Sequence, residues 1–355
     1  MIDFATDPKR ILLIKPSAIG DVVHALPILN LLRRRWPEAH ISWLVTPGCA
    51  GLLEGHPQLD EVILFERHRY AKLWRDPESL MELLALTREL RRGQYDLAVD
   101  LQGLFRSGWL TYQTRAPIRV GFDNAREFAW LGYTHRVPVA TMEQHALQRY
   151  LSITDLLGCG REVEFVFATD DADRAFAANL TRGIERYALL FPGTNWATKR
   201  WPVAHFADIV HPLEKQFGLR CIVSGSSGEA QLASQIRGAV NLAGKTNLRQ
   251  LTALIERAAL VISNDSGPMH IAAALGRPLV ALFGPTNPTR TGPYQREESV
   301  VRLDIPCSPC YARKCLHQSC LRWLSVDAVL RAVEDALDRK PLAASRGKSF
   351  ETGRT

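Results

Sequence analysis

Residues 10–27 read RILLIKPSAIGDVVHALP, and this stretch decides the fold. Its first part, Arg10 to Lys15, contains the short apolar run that is typical of a strand buried on both faces of a parallel sheet. Residues 16–20 break the run, and a helical pattern begins at Asp21. A buried strand that passes through a sharp turn into a helix predicts an α/β protein with a parallel sheet.

The same alternation of strands and helices continues outward from this stretch in two blocks. The first block has predicted strands at 10–15, 41–45, 62–65 and 95–100, and predicted helices at 21–35 and 79–92. The second block has predicted strands at 187–191, 220–224, 260–263 and 279–283, and predicted helices at 203–217, 228–237, 248–258, 268–275 and 326–337. Two such blocks predict two doubly wound parallel sheets.

Chain length agrees with two domains. The 355 residues are too many for one ordinary α/β core and suit two domains of roughly 150 residues each. We place an N-terminal domain at 1–170 and a C-terminal domain at 180–340. Residues 341–355 are polar and contain Gly, Ser, Arg and Lys, so we predict a disordered tail.

Composition describes a globular, basic protein. Hydrophobic residues make up 46% and charged residues 23%, which excludes a disordered or fibrous class. The formal net charge of +7 favours anionic partners: phosphate-bearing substrates, acidic lipid surfaces or nucleic acid. Charge alone does not choose among these partners, and a solvated basic surface without a specific partner explains it equally well.

Neither a membrane span nor a signal peptide is indicated. No apolar run approaches the ~18 residues that a span requires, and the first ten residues carry two aspartates ahead of only four consecutive apolar residues. We therefore expect a cytoplasmic protein with reduced cysteines. Contact with a membrane would come from its inner face.

The first candidate loop is residues 15–27. Ligands of open α/β sheets bind beyond the carboxyl ends of the strands, which is where this loop lies. Asp21 opens the following helix, and it is either an N-cap that accepts backbone N–H groups or a general base that deprotonates an incoming hydroxyl. The loop lacks the G-x-G-x-x-G pattern, so a nicotinamide-binding function loses most of its support.

The second candidate loop is residues 191–202, FPGTNWATKRWP. A tight turn and small polar side chains precede a helix, and free amides at a helix start beside Lys199 would form a phosphate site. Lys199 could neutralise charge on a departing diphosphate. The alternative is a solvated Lys-Arg pair with Trp201 as a packing anchor.

The third candidate loop is residues 264–270, NDSGPMH. Gly267 and Pro268 begin a helix and present free amides to a ligand. Asp265 could accept hydrogen bonds from sugar hydroxyls. His270 is as consistent with a buried structural histidine as with a ligand contact, and plain turn chemistry remains an alternative for the whole loop.

Taken together, these loops resemble glycosyltransferase family 9, the heptosyltransferases of lipopolysaccharide inner-core synthesis. The resemblance rests on residues 15–27, 100–107 (DLQGLFRS), 194–201 (TNWATKRW) and 264–270, in the family's order and spacing. Residues 102–103 and 125–127 are most similar to the heptosyltransferase I branch. Residues 195–198 (NWAT) depart from that branch, which puts the identity of the donor in doubt more than the reaction type.

The resemblance implies a GT-B fold, in which two Rossmann-like domains face each other across a cleft. It implies an inverting transfer of a heptose or related sugar from an ADP-sugar to a lipopolysaccharide acceptor of the Kdo-lipid A type, with no obligatory metal or other cofactor. The N-terminal domain would bind the acceptor and supply the catalytic base, and the C-terminal domain would bind the nucleotide sugar. An anionic glycolipid acceptor implies a peripheral protein at the inner face of the cytoplasmic membrane.

The same resemblance assigns roles to individual residues. Asp21 matches the catalytic base, and Lys199 matches the lysine that binds the diphosphate. The residues that match donor-binding positions are Thr194, Asn195, Lys199, Gly244, Lys245, Thr246, Asp265, Ser266, Gly267 and His270. The arginines that match acceptor-binding positions are Arg69, Arg106 and Arg126, and arginine suits carboxylate and phosphate groups because it binds them in a bidentate way.

A cysteine-rich segment lies outside these loops. Cys307, Cys310, Cys315 and Cys320 fall within 14 residues, a spacing that permits a tetrahedral structural zinc site. A thiol-rich loop or a redox disulfide explains the segment equally well. Nothing in the pattern connects these thiols with sugar transfer.

Two other functions fit parts of the sequence. A non-catalytic module that senses a sugar nucleotide or glycolipid would need the phosphate loops but no base, so Asp21 argues against it. A nucleic-acid-binding protein would explain the charge, but the sequence has no basic recognition helix and no aromatic stacking platform.

Overall fold

The computed structural model describes residues 1–70, 77–139, 141 and 143–339. The tail predicted at 341–355 lies outside these residues. Among the helices in the described ranges, none combines the length and the hydropathy needed to cross a membrane.

The first sheet is built around the strand that opens residues 10–27. Its strands are β1 (Arg10–Ile14), β2 (His40–Val45), β3 (Glu61–Leu64), β4 (Leu97–Asp100), β5 (Ile118–Phe122) and β6 (His135–Val137). Within the described residues they form one six-stranded sheet in the order β3-β2-β1-β4-β5-β6, and every paired neighbour is parallel. Order reverses beside β1, which creates a switch point where β1 and β4 end.

The second sheet repeats this topology. Its strands are β7 (Tyr187–Phe191), β8 (Arg220–Val223), β9 (Val240–Asn241), β10 (Leu260–Asn264), β11 (Leu279–Leu282) and β12 (Val300–Val301). In the described part of the chain the order is β12-β11-β10-β7-β8-β9, again with parallel pairs. The predicted fold, two Rossmann-like doubly wound sheets, is confirmed. The switch point of this sheet lies between β7 and β10.

Helices cover both sheets. Those of the first lobe (residues 10–157) are α1 (Ile19–Arg35), α2 (Pro47–Ala50), α3 (Arg67–Tyr70), α4 (Pro77–Arg92), α5 (Phe105–Gln113) and α6 (Ala146–Leu157). Those of the second lobe (residues 171–338) are α7 (Asp171–Leu180), α8 (Val203–Asp208), α9 (Val210–Phe217), α10 (Ala230–Ala233), α11 (Leu248–Arg257), α12 (Gly267–Ala274), α13 (Pro288–Thr291), α14 (Ser319–Arg322) and α15 (Val326–Asp338).

Two predicted helices are wrong in extent. The helix predicted at 203–217 is divided at Ile209 into α8 and α9. Pro212 explains the break, because it has no N–H to donate to the carbonyl of Asp208 one turn earlier. The helix predicted at 228–237 is reduced to a 3₁₀ turn at Ser227–Glu229 followed by the single turn of α10.

The two lobes share one apolar core. A single cluster of buried side chains includes residues of β1 and α1 from the first lobe together with residues of β10, α11 and α12 from the second. The connecting segment is tied to the first lobe, where Asn30 Nδ2 donates to the Glu164 carbonyl at 2.8 Å and His56 Nε2 lies 3.0 Å from the Val166 carbonyl. The domain limits predicted at 1–170 and 180–340 stay a prediction.

Candidate active site

The first turns of α1 and α12 bring the two sheets together. Each helix follows the central strand of its own sheet, and glycines line their contact. A methyl group added at Gly20 would lie 2.3 Å from His270 Cδ2, and one added at Gly267 would lie 2.6 Å from Ile19 Cγ2. Glycine at both positions therefore lets the first and third candidate loops touch across the lobes.

Asp21 stands at this junction as the third residue of α1. It is not the N-cap, which is Ala18; instead its Oδ2 accepts the Ala18 backbone N–H at 3.2 Å. Its side chain is 40% exposed, so the carboxylate remains accessible. The local helix-start role and the proposed chemical role are thus compatible.

Lys15 and Tyr150 flank Asp21, and neither was identified from the sequence as a site residue. Lys15 Nζ lies 3.8 Å from Asp21 Oδ1, and the Tyr150 hydroxyl lies 3.5 Å from the same oxygen. Lys15 is only 3% exposed. Burial lowers the pKa of its ammonium, but the charge of Asp21 and the contact with Tyr150 outweigh burial and raise that pKa above its ordinary value. Lys15 is therefore a cation at neutral pH.

Asp100 ends β4 beside β1 and is fully buried. Its Oδ1 accepts the backbone N–H groups of Gln102 and Gly103, at 2.7 and 3.1 Å, and its Oδ2 accepts the Tyr133 hydroxyl at 2.6 Å. Burial raises the pKa of this carboxyl, while these hydrogen bonds act in the opposite direction. Asp100 thereby fixes the start of the segment 100–107.

Lys199 and Asp265 join the second and third loops. Lys199 Nζ lies 2.7 Å from Asp265 Oδ2, which also accepts the Thr286 hydroxyl at 2.6 Å. A lysine and a threonine thus contact this oxygen, and hydrogen bonding of sugar hydroxyls by Asp265 stays a prediction. The Trp196 ring lies 4.7 Å from Lys199 Nζ, a cation–π distance.

Asn264, like Lys15 and Tyr150, was not assigned a role of its own from the sequence. It is fully buried, its Nδ2 donates to the Pro192 carbonyl at 2.8 Å and its Oδ1 accepts the Trp201 backbone N–H at 3.0 Å. Both ends of the second loop are thus attached to the start of the third. Trp201 itself is buried, so the packing role considered for it is present beside the ion pair of Lys199.

The remaining predicted donor-binding residues lie in the loops after β7, β9 and β10. Thr194 is buried, with its hydroxyl 3.4 Å from the Asp265 carbonyl, and Asn195 is exposed. Ser266 occupies the N-cap position of α12, and its hydroxyl lies 3.1 Å from that of Ser263. Gly244, Lys245 and Thr246 follow β9, and Gly244 adopts a positive φ of 76°.

Glu229 holds the loops after β7 and β8 together, a role that the sequence did not reveal. Its Oε2 accepts the Ser226 backbone N–H at 2.7 Å and the Ser226 hydroxyl at 2.9 Å. A methyl group at Gly193 would lie 1.7 Å from Glu229 Oε1, so the carboxylate fills the space beside this glycine. The only sequence signal was the Ser226-to-Glu229 spacing of a capping box.

Three histidines meet where α1 contacts α12. The His24 ring centroid lies 4.5 Å from that of His270 and 4.7 Å from that of His145. Burial lowers the pKa of His270 to about 4, although Asp265 and Asp21 raise it. His270 packs against Gly20 of the first lobe and follows Asp265 in the third loop, so it lies where the two lobes meet. Within the described residues, buried His270 Nδ1 has no hydrogen-bond partner.

The three predicted acceptor arginines are not equivalent. Arg106 and Arg126 are exposed on adjoining segments, where the Arg126 backbone N–H donates to the Gly103 carbonyl at 2.9 Å. Arg69 lies on α3, and its guanidinium pairs with Glu82 of α4 at 2.5 Å. Nothing in the described contacts joins Arg69 to the other two.

The four clustered cysteines are free thiols. Burial raises the pKa of Cys320, and the charges of Cys310, Cys307 and Cys315 raise it further. Within the described residues no three His, Cys, Asp or Glu side chains are arranged to hold a metal ion. The zinc site that the spacing permits stays a prediction and gains no support from this arrangement.

The cysteine-rich segment packs against the second candidate loop and the loop after β11. The Thr198 hydroxyl donates to the Ala312 carbonyl at 2.8 Å, and the Ser308 hydroxyl donates to the Gly284 carbonyl at 2.6 Å. Residues 313–316 also line, with Ala197 and Thr198, a cavity of about 390 Å³. The segment thus contacts Thr198, the residue that precedes Lys199.

Known proteins resemble the chain along most of its length. The sequence model of the family "Glycosyltransferase family 9 (heptosyltransferase)" matches residues 83–321. Lipopolysaccharide heptosyltransferase 1 of Pseudomonas aeruginosa is 33% identical over 319 residues, which cover 87% of this chain and 88% of that protein.

Solved structures agree with the sequence relatives. The structure of Escherichia coli heptosyltransferase WaaC with ADP superposes with a TM-score of 0.75 at 27% identity, covering 92% of this chain and 99% of that one. The structure of the same enzyme with ADP-2-deoxy-2-fluoro heptose has a TM-score of 0.74 at 27% identity and the same coverage. The fold and the motifs therefore point to one family.

Proposed function

The chain belongs to glycosyltransferase family 9, the heptosyltransferase family, and from this premise we propose the reaction that its site performs. It is a glycosyltransferase of the GT-B fold. The reaction is the transfer of heptose from ADP-heptose to the inner core of lipopolysaccharide, and we assign the acceptor to the Kdo-lipid A type. Relatives named as lipopolysaccharide heptosyltransferases and a neighbour bound to an ADP-heptose analogue support this assignment.

Asp21 is the catalytic base in this proposal. Its carboxylate takes the proton of the acceptor hydroxyl while that oxygen attacks the anomeric carbon of heptose from the face opposite the diphosphate. The new carbon–oxygen bond forms as the bond to the diphosphate breaks, so the configuration inverts and ADP leaves with the electron pair. The exposure of the Asp21 side chain in the first turn of α1 supports this role, because a general base must reach its substrate.

Lys199 and the start of α12 stabilise the leaving ADP. An ammonium and free helix amides compensate the negative charge that grows on the diphosphate. Lys199 lies against Asp265 of the third loop, which supports a shared task for the two loops. Thr194, Asn195, Ser266, Gly267 and His270 would contact the phosphates and sugar, and Gly244, Lys245 and Thr246 the adenosine. We assign the acceptor's anionic groups to Arg106 and Arg126, with Arg69 available once it leaves Glu82.

The contact of the first candidate loop with the third is the observation on which the proposal depends. Gly20, beside Asp21, packs against His270, and Asp265 of the same third loop pairs with Lys199 at 2.7 Å. A base from one lobe and a cation from the other, on loops that lie against each other, are what a one-step transfer requires. We also propose that transfer needs no metal ion, since Lys199 and the helix amides provide positive charge at the diphosphate.

We propose peripheral association with the cytoplasmic face of the inner membrane, where a glycolipid acceptor would be met. Exposed apolar side chains lie near exposed arginines on the first lobe, a combination that suits an anionic lipid surface. These residues are Phe105, Tyr112, Phe128, Leu131, Arg106 and Arg126.

Turnover of defined donors by Asp21→Asn and wild-type protein tests the function. The wild-type protein should release ADP from ADP-heptose in the presence of a Kdo-lipid A acceptor, and should not use UDP- or GDP-sugars. Asp21→Asn should lower kcat by about 10²- to 10⁴-fold, the usual contribution of a general base, while ADP affinity measured by calorimetry stays unchanged. Near wild-type turnover of Asp21→Asn would refute the base assignment, and no transfer by the wild-type protein would refute the reaction.

A further inference from the structure

We propose that Lys15 and Tyr150 are positioning residues that hold the Asp21 carboxylate in its orientation and aim it into the cleft. This inference rests on the proposed function, because it concerns the base of that reaction. Both residues lie in the first lobe. Lys15 directly follows β1, whereas Tyr150 lies on α6, far from Asp21 in the sequence.

Lys15 is an ammonium group inside the protein. A buried cation is costly unless it is paired and hydrogen bonded. Its Nζ finds the Leu101 carbonyl at 3.4 Å, the face of Tyr150 at 5.3 Å from the ring centroid, and Asp21 Oδ1 at 3.8 Å. Among the ion pairs of the described residues, Asp21 is the carboxylate that accompanies Lys15.

Asp21 is held at both oxygens. The Ala18 N–H donates to Oδ2, while Lys15 and the Tyr150 hydroxyl face Oδ1. Tyr150 is itself immobilised, since it is buried on α6 and stacks on Phe122 at 6.3 Å between ring centroids. The carboxylate is thus fixed in orientation and still 40% exposed, which leaves lone pairs free for an acceptor hydroxyl.

Other titratable groups around the pair do not replace this role. His24 on α1 and His270 on α12 have pKa values lowered chiefly by burial, and burial raises the pKa of the Cys49 thiol on α2. These three groups are therefore neutral at pH 7. Asp100 of β4 also faces Lys15, but Tyr133 and two backbone amides already occupy its oxygens. Arg149 faces Tyr150 from the same helix.

The geometry assigns a different consequence to each group. Without the ammonium, Asp21 Oδ1 loses its ion-pair partner, so a Lys15→Met protein should lose kcat while donor KM stays unchanged. Without the Tyr150 hydroxyl the ion pair remains and only one hydrogen bond is lost. The Tyr150→Phe protein should therefore lose kcat to a smaller extent.

The experiment compares kcat, donor KM and ADP affinity for Lys15→Met, Tyr150→Phe and the control Lys9→Met. We expect Lys15→Met to lower kcat about 100-fold, as misplacement of a reacting group by ~1 Å does. Tyr150→Phe should lower kcat up to about tenfold, consistent with one lost hydrogen bond to a charged group. Donor KM and ADP affinity should stay near wild type in both.

Several outcomes separate this inference from its alternatives. If donor KM rises and ADP affinity falls together with kcat in both variants, Lys15 and Tyr150 are merely structural and the inference is overturned. If Lys15→Met no longer binds ADP, it has not folded, and the isosteric Tyr150→Phe decides by the same comparison of kcat with donor KM. If the wild-type protein transfers no heptose, the proposed function fails first; if wild type is active and Asp21→Asn is not, a failure concerns only the positioning residues.

Discussion

At the scale of single residues, Lys199 has two different tasks in the proposed reaction. In the unliganded site its ammonium neutralises Asp265, a carboxylate that is only 5% exposed. A diphosphate arriving beside it would compete for the same ammonium. Asp265 therefore keeps Lys199 in place before the donor binds, and Thr286 continues to satisfy Asp265 afterwards.

Replacing Lys199 by Met should remove both tasks. We expect kcat/KM for the donor to fall by about 10²- to 10³-fold, the usual cost of losing one group that stabilises developing negative charge. ADP should also bind more weakly, because the unpaired Asp265 would repel its phosphates. Steady-state kinetics and calorimetric titration with ADP measure the two effects.

Two further proteins show whether the loss is electrostatic. Lys215→Met, on the exposed side of α9, should behave as wild type. The double variant Lys199→Met/Asp265→Asn removes the unpaired carboxylate and should recover stability without recovering kcat. Recovery of kcat in the double variant would mean that Lys199 serves only to neutralise Asp265.

The sequence marked Asp21 and Lys199 as candidates because each follows a predicted strand at the edge where ligands of such sheets bind. It could not reveal Tyr150, since 129 residues of chain separate it from Asp21 and only the packing of α6 on α1 brings them together. Lys15 carried a local signal, a lysine directly after a fully buried strand, but its burial depends on β4 and α6. The ion pair of Asp265 depends likewise on two loops meeting in space.

At the scale of elements, the contact of α1 with α12 determines how closely the half-sites approach. The strand and helix periods predicted both helices within two residues of their observed starts. Periodicity did not predict their contact, because it depends on the absence of side chains at Gly20 and Gly267. Short edge strands such as β6, β9 and β12 were also missed, since two or three residues are too few to show a pattern.

Gly20→Ala should force α1 and α12 apart. The new methyl group would lie 2.3 Å from His270 Cδ2 and 2.8 Å from His270 Nε2, so the imidazole or the helix must move. We expect a loss of about 1–3 kcal/mol in the free energy of unfolding, as overpacking of a buried contact usually costs, together with lower kcat. Chemical denaturation and steady-state kinetics measure both.

Gly48→Ala is the matched control for this change. It also adds one methyl group to a glycine at a helix start, but nothing lies within 4 Å of that position. Its free energy of unfolding should stay within about 0.5 kcal/mol of wild type, as for other exposed surface changes. Equal behaviour of the two variants would show that the α1–α12 contact tolerates separation.

At the scale of the whole molecule, one apolar core and a histidine cluster join the lobes. Residues 24–27 (HALP) and 264–270 (NDSGPMH), which the sequence placed in candidate loops, contribute to the buried contact between the two lobes, with His24 and His270 edge to face. Folding therefore leaves both imidazoles neutral in an environment that excludes water. The stability of the lobe contact should consequently depend on pH.

The direction of that dependence follows from the lowered pKa of His270, about 4 against an ordinary value near 6.5. Between pH 6.5 and about 4, this histidine is protonated in the unfolded chain but not in the folded protein. The free energy of unfolding therefore keeps its full value above pH 6.5 and decreases as the pH falls to about 4. One such histidine accounts for a loss on the order of 3 kcal/mol over this range. His24 and His56 have pKa values lowered in the same direction and add to it.

Urea unfolding at pH 7.5, 6.0 and 5.0 tests this expectation with the variant His270→Gln. Glutamine cannot be protonated, so the variant should lose up to about 1.4 kcal/mol per pH unit from the slope of stability against pH, the contribution of one proton. Its stability at pH 7.5 can change for packing reasons, but the slope responds only to protonation. His211→Gln, on the exposed side of α9, should keep the wild-type slope. If His270→Gln keeps the wild-type slope of unfolding free energy against pH, the His270 imidazole takes up its proton in the folded protein as it does in the unfolded chain. The contact between α1 and α12 would then be charged rather than neutral.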